Sequence, residues 1–160
     1  MMRESYTKGT NYSGRGTRIG IVSARFNGRI VEAMRASAQT TLLGHDVAEA
    51  DVICRHVPGA FELPLACKAM AVTGDFDGLI ALGCVIRGDT PHFEYVCQGC
   101  TTGIQEVSLQ SGIPIAFGLL TTDTLNQALQ RSTGDNNKGH DAALCVLEMI
   151  NVLRTIRTGE

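Results

Sequence analysis

One polar turn carries the residues of this chain that are most able to do chemistry. Arg87 to His92 follow an apolar run at 79–86, and Pro91 opens a helical pattern. A helix that starts directly after a strand points backbone N–H groups and the positive end of its dipole at one place, which suits a phosphate or another anion. We expect Asp89 to contact such an anion through its backbone rather than its carboxylate. His92 lies in the first helical turn, so this segment predicts proton transfer beside a bound anion.

Two further loops follow predicted strands and add aromatic and acidic side chains. Phe26 and Asn27 come after the first strand, and the sequence VPGAFE, with Phe61 and Glu62, comes after the second. Because the carboxyl ends of parallel strands meet at one edge of a sheet, we expect these loops to converge with His92. Two phenylalanines, a carboxylate, an anion site and a histidine suit a flat aromatic heterocycle beside a phosphate.

Each of these residues also has a plainer interpretation. Phe26 could cap the core, Glu62 could only offset a helix dipole, and His92 could lie on a helix surface without a role. Arg131 and Lys138 flank a glycine-rich break before the last helix, where surface solvation is the default for a cation. The same two side chains could instead clamp a phosphate, and composition does not place them near His92.

The elements that must position these residues alternate regularly between strand and helix. Apolar β-branched runs predict strands at 18–24, 51–57, 79–86 and 113–120. Helical spacing predicts helices at 30–43, 61–72, 91–110 and 141–156, and a short helix ending at 130. The alternation favours an α/β, flavodoxin-like three-layer sandwich with a four-stranded, mainly parallel sheet. Residues 1–17 are expected to form a flexible arm that could extend the sheet of a neighbouring subunit, and 18–160 a single domain.

Specific residues are expected to end these helices and to fill the core. Gly44 is the predicted C-cap of the first helix, Thr90 the N-cap of the third, and Gly112 its end. Residues 121–123 offer caps to the short helix. The expected buried positions of the last helix are Leu144, Leu147, Ile150 and Leu153.

Composition excludes several function classes. The chain has 160 residues, a formal net charge of -2 and a pI near 6.1, so it offers no basic face for nucleic acid or a membrane surface. No apolar run is long enough to span a bilayer, and we expect a cytoplasmic protein. The six cysteines are expected to be buried hydrophobes rather than a metal or redox site, including the Cys97–Cys100 pair.

Taken together, the motifs resemble the 6,7-dimethyl-8-ribityllumazine synthase family over residues 18–156. The likeness rests on SARFN, VPGAFELP, GCVIRGDTPHFEYV and GIPIAFGLLTTDTLNQAL, followed by Arg131 and NKG. It implies the condensation of 5-amino-6-ribitylamino-uracil with 3,4-dihydroxy-2-butanone 4-phosphate, which releases phosphate and water, without a metal or an organic cofactor. A non-catalytic lumazine- or flavin-binding shell protein and an archaeal-type riboflavin synthase are the alternatives.

The resemblance also implies roles for individual residues. His92 would be the general acid and base, Arg131 with Asp89 and Thr90 would hold the phosphate, and Phe26 would stack on the pyrimidine ring. Phe117 and Arg131 would come from a neighbouring subunit of a pentamer. The remaining implied substrate contacts are Asn27, Ala60, Phe61, Glu62, Cys84, Val85, Ile86 and Lys138.

Three departures from the family pattern bear on assembly. The loop from Arg131 to Lys138 is one residue shorter than expected for icosahedral shells, and His140 replaces a small apolar residue. Pro91 precedes His92 where threonine is usual, which should stiffen the helix start. The choice among a pentamer, a decamer and a sixty-subunit shell therefore stays open.

Overall fold

Four parallel strands form the centre of the structure, a computed structural model that describes residues 9–160. The strands are β1 (Ile19–Ala24), β2 (Val52–Val57), β3 (Gly78–Ile86) and β4 (Ile115–Thr122). They lie in the order β2-β1-β3-β4, and all three pairings are parallel. The predicted strands are thus confirmed, and in the described residues the sheet is entirely rather than mainly parallel. Residues 1–8 of the predicted arm lie outside the described residues.

Helices cover both faces of this sheet. They are α1 (Gly28–Gly44), α2 (Leu63–Ala71), α3 (His92–Ser111), α4 (Leu125–Gln130) and α5 (Lys138–Thr158), with short 3-10 turns at Glu49–Asp51, Ala60–Glu62 and Gly134–Asn136. Side chains of α1 and α5 share one buried cluster with Ile19 and Ile21, whereas α2 and α3 share another with Val22. Every residue of β1 is buried because both of its faces are covered. The three-layer α/β fold is therefore confirmed.

Three of the predicted helix caps are wrong. Gly44 is the last residue of α1, and its φ is not positive. His45 occupies the C-cap position, and the left-handed residue that follows it is Asp46 (φ 71°). Thr90 makes no capping bond, because α3 starts one residue later and Pro91 takes the N-cap position. The short α4 is capped by Thr124, not by residues 121–123, since β4 runs on to Thr122. Gly112, at φ 70°, ends α3 as predicted.

The burial predictions for α5 and for the cysteines were partly wrong. Leu147 and Ile150 are buried, but Leu144 and Leu153 are only half-buried, because the smaller Ala142, Ala143 and Val146 occupy the core side. Cys67, Cys84 and Cys100 are buried as expected. Cys54 and Cys97 are half-buried, and Cys145 is exposed because it faces a surface pocket between β4 and α5.

The described part of the N-terminal arm contacts its own chain. Asn151 of α5 donates hydrogen bonds from Nδ2 to the carbonyl oxygens of Asn11 (3.1 Å) and Ser13 (3.0 Å). The Gly14 amide donates to the His45 carbonyl at 2.7 Å. These bonds join residues 11–14 to the ends of α1 and α5 that lie away from the carboxyl edge of the sheet.

Asn137 and Gly139 join the start of α5 to α1. The buried Asn137 donates from Nδ2 to the carbonyls of Ala33 (3.2 Å) and Ser132 (2.8 Å), and its Oδ1 accepts from the Gly139 amide (2.8 Å). A Cβ added to Gly139 would lie 2.0 Å from the Met34 carbonyl oxygen. Only glycine fits this contact between two backbones.

We predict that Gly139→Ala destabilises the fold by about 3 kcal/mol, because the added methyl group collides with backbone that cannot move alone. Urea unfolding at one fixed protein concentration would measure the change. Gly44→Ala is the matched control: nothing lies within 4 Å of its Cβ. Since Gly44 has no positive φ, this change should stabilise α1 by up to about 1 kcal/mol. Equal losses in the two variants would contradict this account of the α1–α5 contact.

Candidate active site

A cleft of about 580 Å³ lies at the carboxyl edge of the sheet, where β1, β2 and β3 end. Its size falls in the range of small-molecule sites in proteins. The lining includes nine of the predicted site residues: Phe26, Ala60, Phe61, Glu62, Cys84, Val85, Ile86, Thr90 and His92. The parallel topology thus brings the three loops together as the strand pattern predicted.

Two exposed phenylalanines form apolar walls of the cleft. Phe26 is 70% exposed and Phe61 is 62% exposed, so neither ring fills the core. The Phe26 amide donates to the Pro58 carbonyl at 3.0 Å, which carries the β1–β2 pairing one step beyond the strands. The Phe61 ring rests on α3 at Gly99, where an added Cβ would lie 2.7 Å from Cε2. Both rings therefore face the cleft from fixed backbone positions.

Asn27 joins the loop after β1 to the end of β3. Its backbone is left-handed (φ 55°, ψ 41°), and its Nδ2 donates to the Cys84 carbonyl at 2.9 Å. The Asn27 carbonyl accepts the first amide bonds of α1, from Ile30 and Val31. The predicted substrate-binding residue Asn27 thus has its amide group engaged with the cleft wall.

His92 is the first residue of α3 and is exposed at the mouth of the cleft. Within residues 9–160 its imidazole makes no hydrogen bond, so both ring nitrogens can meet a ligand. The Pro91 nitrogen carries no hydrogen, and no side chain caps α3, which leaves the free amides of the first turn pointing at the loop before it. The positive end of a helix of 20 residues therefore lies beside a free imidazole.

Asp89 lies outside the cleft. It lines an adjoining pocket of about 310 Å³ together with Arg87 and Glu94, whereas Gly88 and Thr90 line both spaces. Sequence reasoning missed Phe93, which lines the cleft beside His92 and lies under the Arg87 guanidinium, 4.3 Å from carbon to ring centroid. The position of Phe93 in the predicted first turn of this helix, next to His92, was the sequence signal that could have identified it as a cleft residue.

Phe117, Arg131 and Lys138 line a different pocket, of about 540 Å³, between β4 and α5. This pocket shares no lining residue with the cleft. The Lys138 amide donates to the Arg131 carbonyl at 2.8 Å, which closes the intervening loop and sets the two cations side by side. Arg131 also donates from Nη1 to the Gln127 carbonyl (3.0 Å), and Lys138 pairs with Asp141 (3.0 Å). One chain therefore does not bring these residues to His92.

The cysteines offer no activated nucleophile. Burial raises the pKa of the Cys84 thiol to about 11, so the one cysteine that lines the cleft is protonated at neutral pH. Burial likewise raises the pKa of the Cys67 and Cys100 thiols to about 12. In the part of the chain that the structure describes, no three His, Cys, Asp or Glu side chains are grouped to hold a metal ion. No helix among the described residues is long and apolar enough to cross a membrane.

Comparison with known proteins gives matches that cover most of the chain. The family model for 6,7-dimethyl-8-ribityllumazine synthase matches residues 16–154. A curated protein of Lactiplantibacillus plantarum named 6,7-dimethyl-8-ribityllumazine synthase is 50% identical over 145 residues. That alignment covers 90% of this chain and 91% of the relative.

We predict that Asn27→Ala destabilises the protein by about 2–3 kcal/mol: about 1–2 from placing alanine in a left-handed conformation and about 1 from the lost bond to Cys84. Asn27→Gly keeps the conformation but loses the bond, so it should cost only about 1 kcal/mol. Urea unfolding of both variants would separate the two contributions. Equal losses would show that the left-handed backbone of Asn27 carries no cost.

Proposed function

This chain belongs to the 6,7-dimethyl-8-ribityllumazine synthase family, and we propose that the cleft between Phe26 and His92 is where it forms its product. The chain is a transferase of riboflavin biosynthesis. It condenses 5-amino-6-ribitylamino-uracil with 3,4-dihydroxy-2-butanone 4-phosphate and releases phosphate and water. The family match favours this activity over a non-catalytic flavin-binding shell protein and over an archaeal-type riboflavin synthase. One observation supports placing the reaction in this cleft: exposed aromatic rings, the start of a helix and a free imidazole all line it.

In this proposal the uracil substrate lies against the aromatic wall. Phe26 stacks on the pyrimidine ring, since its ring is exposed and its backbone is held by Pro58. The turn with Ala60, Phe61 and Glu62 meets the ribityl chain. The end of β3 meets the edge of the heterocycle through Cys84, Val85 and Ile86.

The phosphate of the second substrate lies at the start of α3. Free backbone amides and the helix dipole favour an anion there, and the Thr90 hydroxyl lines the same space. The backbone of Asp89 contributes, while its carboxylate points into the adjoining pocket. This arrangement places the leaving phosphate beside the His92 imidazole.

His92 moves the protons of the reaction. The substrate amine attacks the ketone carbonyl, and His92 passes protons during loss of water to the imine, elimination of phosphate and ring closure. The nucleophile belongs to the substrate, so the protonated Cys84 thiol needs no activation. Most of the acceleration then comes from orienting two bound substrates, with electrostatic support for the leaving phosphate.

We further propose that a neighbouring subunit completes each site, in an assembly that is at least a pentamer. Phe117, Arg131 and Lys138 lie together in a separate pocket of their own chain, and in this proposal that pocket meets the cleft of an adjacent copy. Arg131 would then grip the phosphate with its two-pronged guanidinium. A cytoplasmic location is consistent with six free cysteines.

We predict that His92→Asn lowers kcat on the order of a hundredfold and changes both KM values little, because it removes proton transfer but keeps the cleft. Formation of the lumazine chromophore from the two substrates, corrected for the spontaneous rate, would measure this. His45→Gln, at the far end of α1, is the matched control and should retain full activity. Unchanged turnover in His92→Asn would refute the assignment of His92.

We predict that subunits of Arg131→Ala and His92→Asn, each poorly active alone, regain activity when they are unfolded in urea and refolded together. If each site takes His92 from one subunit and Arg131 from the next, random mixing leaves about a quarter of the sites intact. Multi-angle light scattering of the same samples would report the size of the assembly. Refolding each variant alone provides the baseline. Mixed assemblies without recovered activity would place both residues in one chain's site, and a monomer would refute the shared site.

A further inference from the structure

Arg87 contacts the elements on both sides of the proposed anion-binding loop, residues 88–91 between β3 and α3. Its amide donates to the Thr122 carbonyl at 2.8 Å, one step beyond the β3–β4 pairing. Its Nε donates to Asp123 Oδ1 at 2.8 Å, and its Nη1 donates to Glu94 Oε1. The guanidinium also covers the Phe93 ring. One residue thus joins the ends of β3 and β4 to the first turn of α3.

The anion-binding loop next to Arg87 makes few hydrogen bonds of its own. In residues 9–160 the side chains of Asp89, Thr90 and His92 make no hydrogen bond, and α3 has no side-chain cap. The first turn of α3 bears Glu94, which is bonded to Arg87, and Phe93, which is covered by it. The orientation of this turn, and of His92 within it, therefore depends on the guanidinium.

Arg87 also balances negative charge next to the proposed phosphate position. Asp123 and Glu94 both bind it, and they raise the pKa of the guanidinium above its ordinary value. In return Arg87 lowers the pKa of the Glu94 carboxyl, which keeps that group ionised. Glu94 and Asp89 line the pocket that adjoins the cleft. Without Arg87, the Glu94 and Asp123 carboxylates would lose their cationic partner, and their negative charge would repel an incoming dianion.

We propose that Arg87 is a positioning residue for the phosphate substrate: it orients the start of α3 and offsets part of the negative charge of Glu94 and Asp123 beside the anion-binding loop. This role rests on the proposed function of the cleft. It assigns Arg87 no contact with the reacting atoms. Its effect should therefore be specific to the substrate that carries the phosphate, and it should weaken with salt, because screening reduces repulsion between exposed charges.

The test compares Arg87→Met with the unaltered protein in the full assembly. We expect KM for the butanone phosphate to rise about tenfold, while KM for the uracil stays within about twofold, since repulsion acts only on the anionic substrate. The inhibition constant of inorganic phosphate should rise in parallel with that KM. Raising the ionic strength should reduce both increases.

Three further variants separate charge from structure. Arg87→Lys keeps the positive charge and should recover most of the phosphate affinity. Arg87→Met combined with Glu94→Gln and Asp123→Asn removes the exposed carboxylates and should recover the part of the phosphate affinity that is lost to charge repulsion. Arg35→Met is the matched control, because Arg35 also pairs with a carboxylate, that of Glu32 on α1, away from the cleft. It should leave both KM values unchanged.

The possible outcomes are distinguishable. If the unaltered protein forms no lumazine, the proposed function fails. If it does, and Arg87→Met raises both KM values equally or lowers only the melting temperature, the positioning role is overturned while the function stands. If Arg87→Met does not fold, Arg87→Lys and the triple variant decide. In both variants a KM for the butanone phosphate close to that of the unaltered protein supports the proposal. A tenfold rise of that KM in both would overturn it.

Discussion

The central position of β1 is the constraint on which the cleft depends. β1 is paired in parallel with β2 on one side and β3 on the other, so the three loops that follow these strands open at the same edge. The pairing continues past the strand ends, where Arg25 and Phe26 donate to the carbonyls of Val57 and Pro58. Asn27 then crosses to Cys84 on β3. The cleft wall is thus a hydrogen-bonded extension of the sheet, and these bonds hold its backbone in place.

In the proposed shared site, the split between two surfaces of the chain would make one copy an incomplete enzyme. The cleft holds the aromatic wall and His92, while the guanidinium of Arg131 lies in a pocket on the other side of β4. β4 is an edge strand of the sheet that the structure describes, and its Phe117 side chain is 47% exposed. If the site is shared as proposed, assembly is a condition for activity, and catalysis would depend on protein concentration.

The sequence predicted the strands, the order of the helices and the convergence of three loops, because hydrophobic periodicity and parallel topology decide them. Its predictions of caps at Gly44 and Thr90 were wrong, since a cap depends on where the helix starts or ends by one residue. The alanines on the buried side of α5 were also missed, because the contact at Gly139 brings α1 too close for larger side chains. The Arg87 network joins residues 36 positions apart, which no local pattern reveals.

The chemistry of the cleft is one of orientation rather than of covalent attack by the protein. Burial keeps the Cys84 thiol protonated, and His92 has no hydrogen-bonded partner in the described residues that would make it part of a nucleophile–base pair. An imidazole without such a partner can turn between acceptor and donor positions, which suits a reaction in which protons move at several steps. In the proposed arrangement a fixed wall and a free imidazole are complementary: Phe26 and the end of β3 would fix the heterocycle, so only His92 would have to adjust as the reaction proceeds.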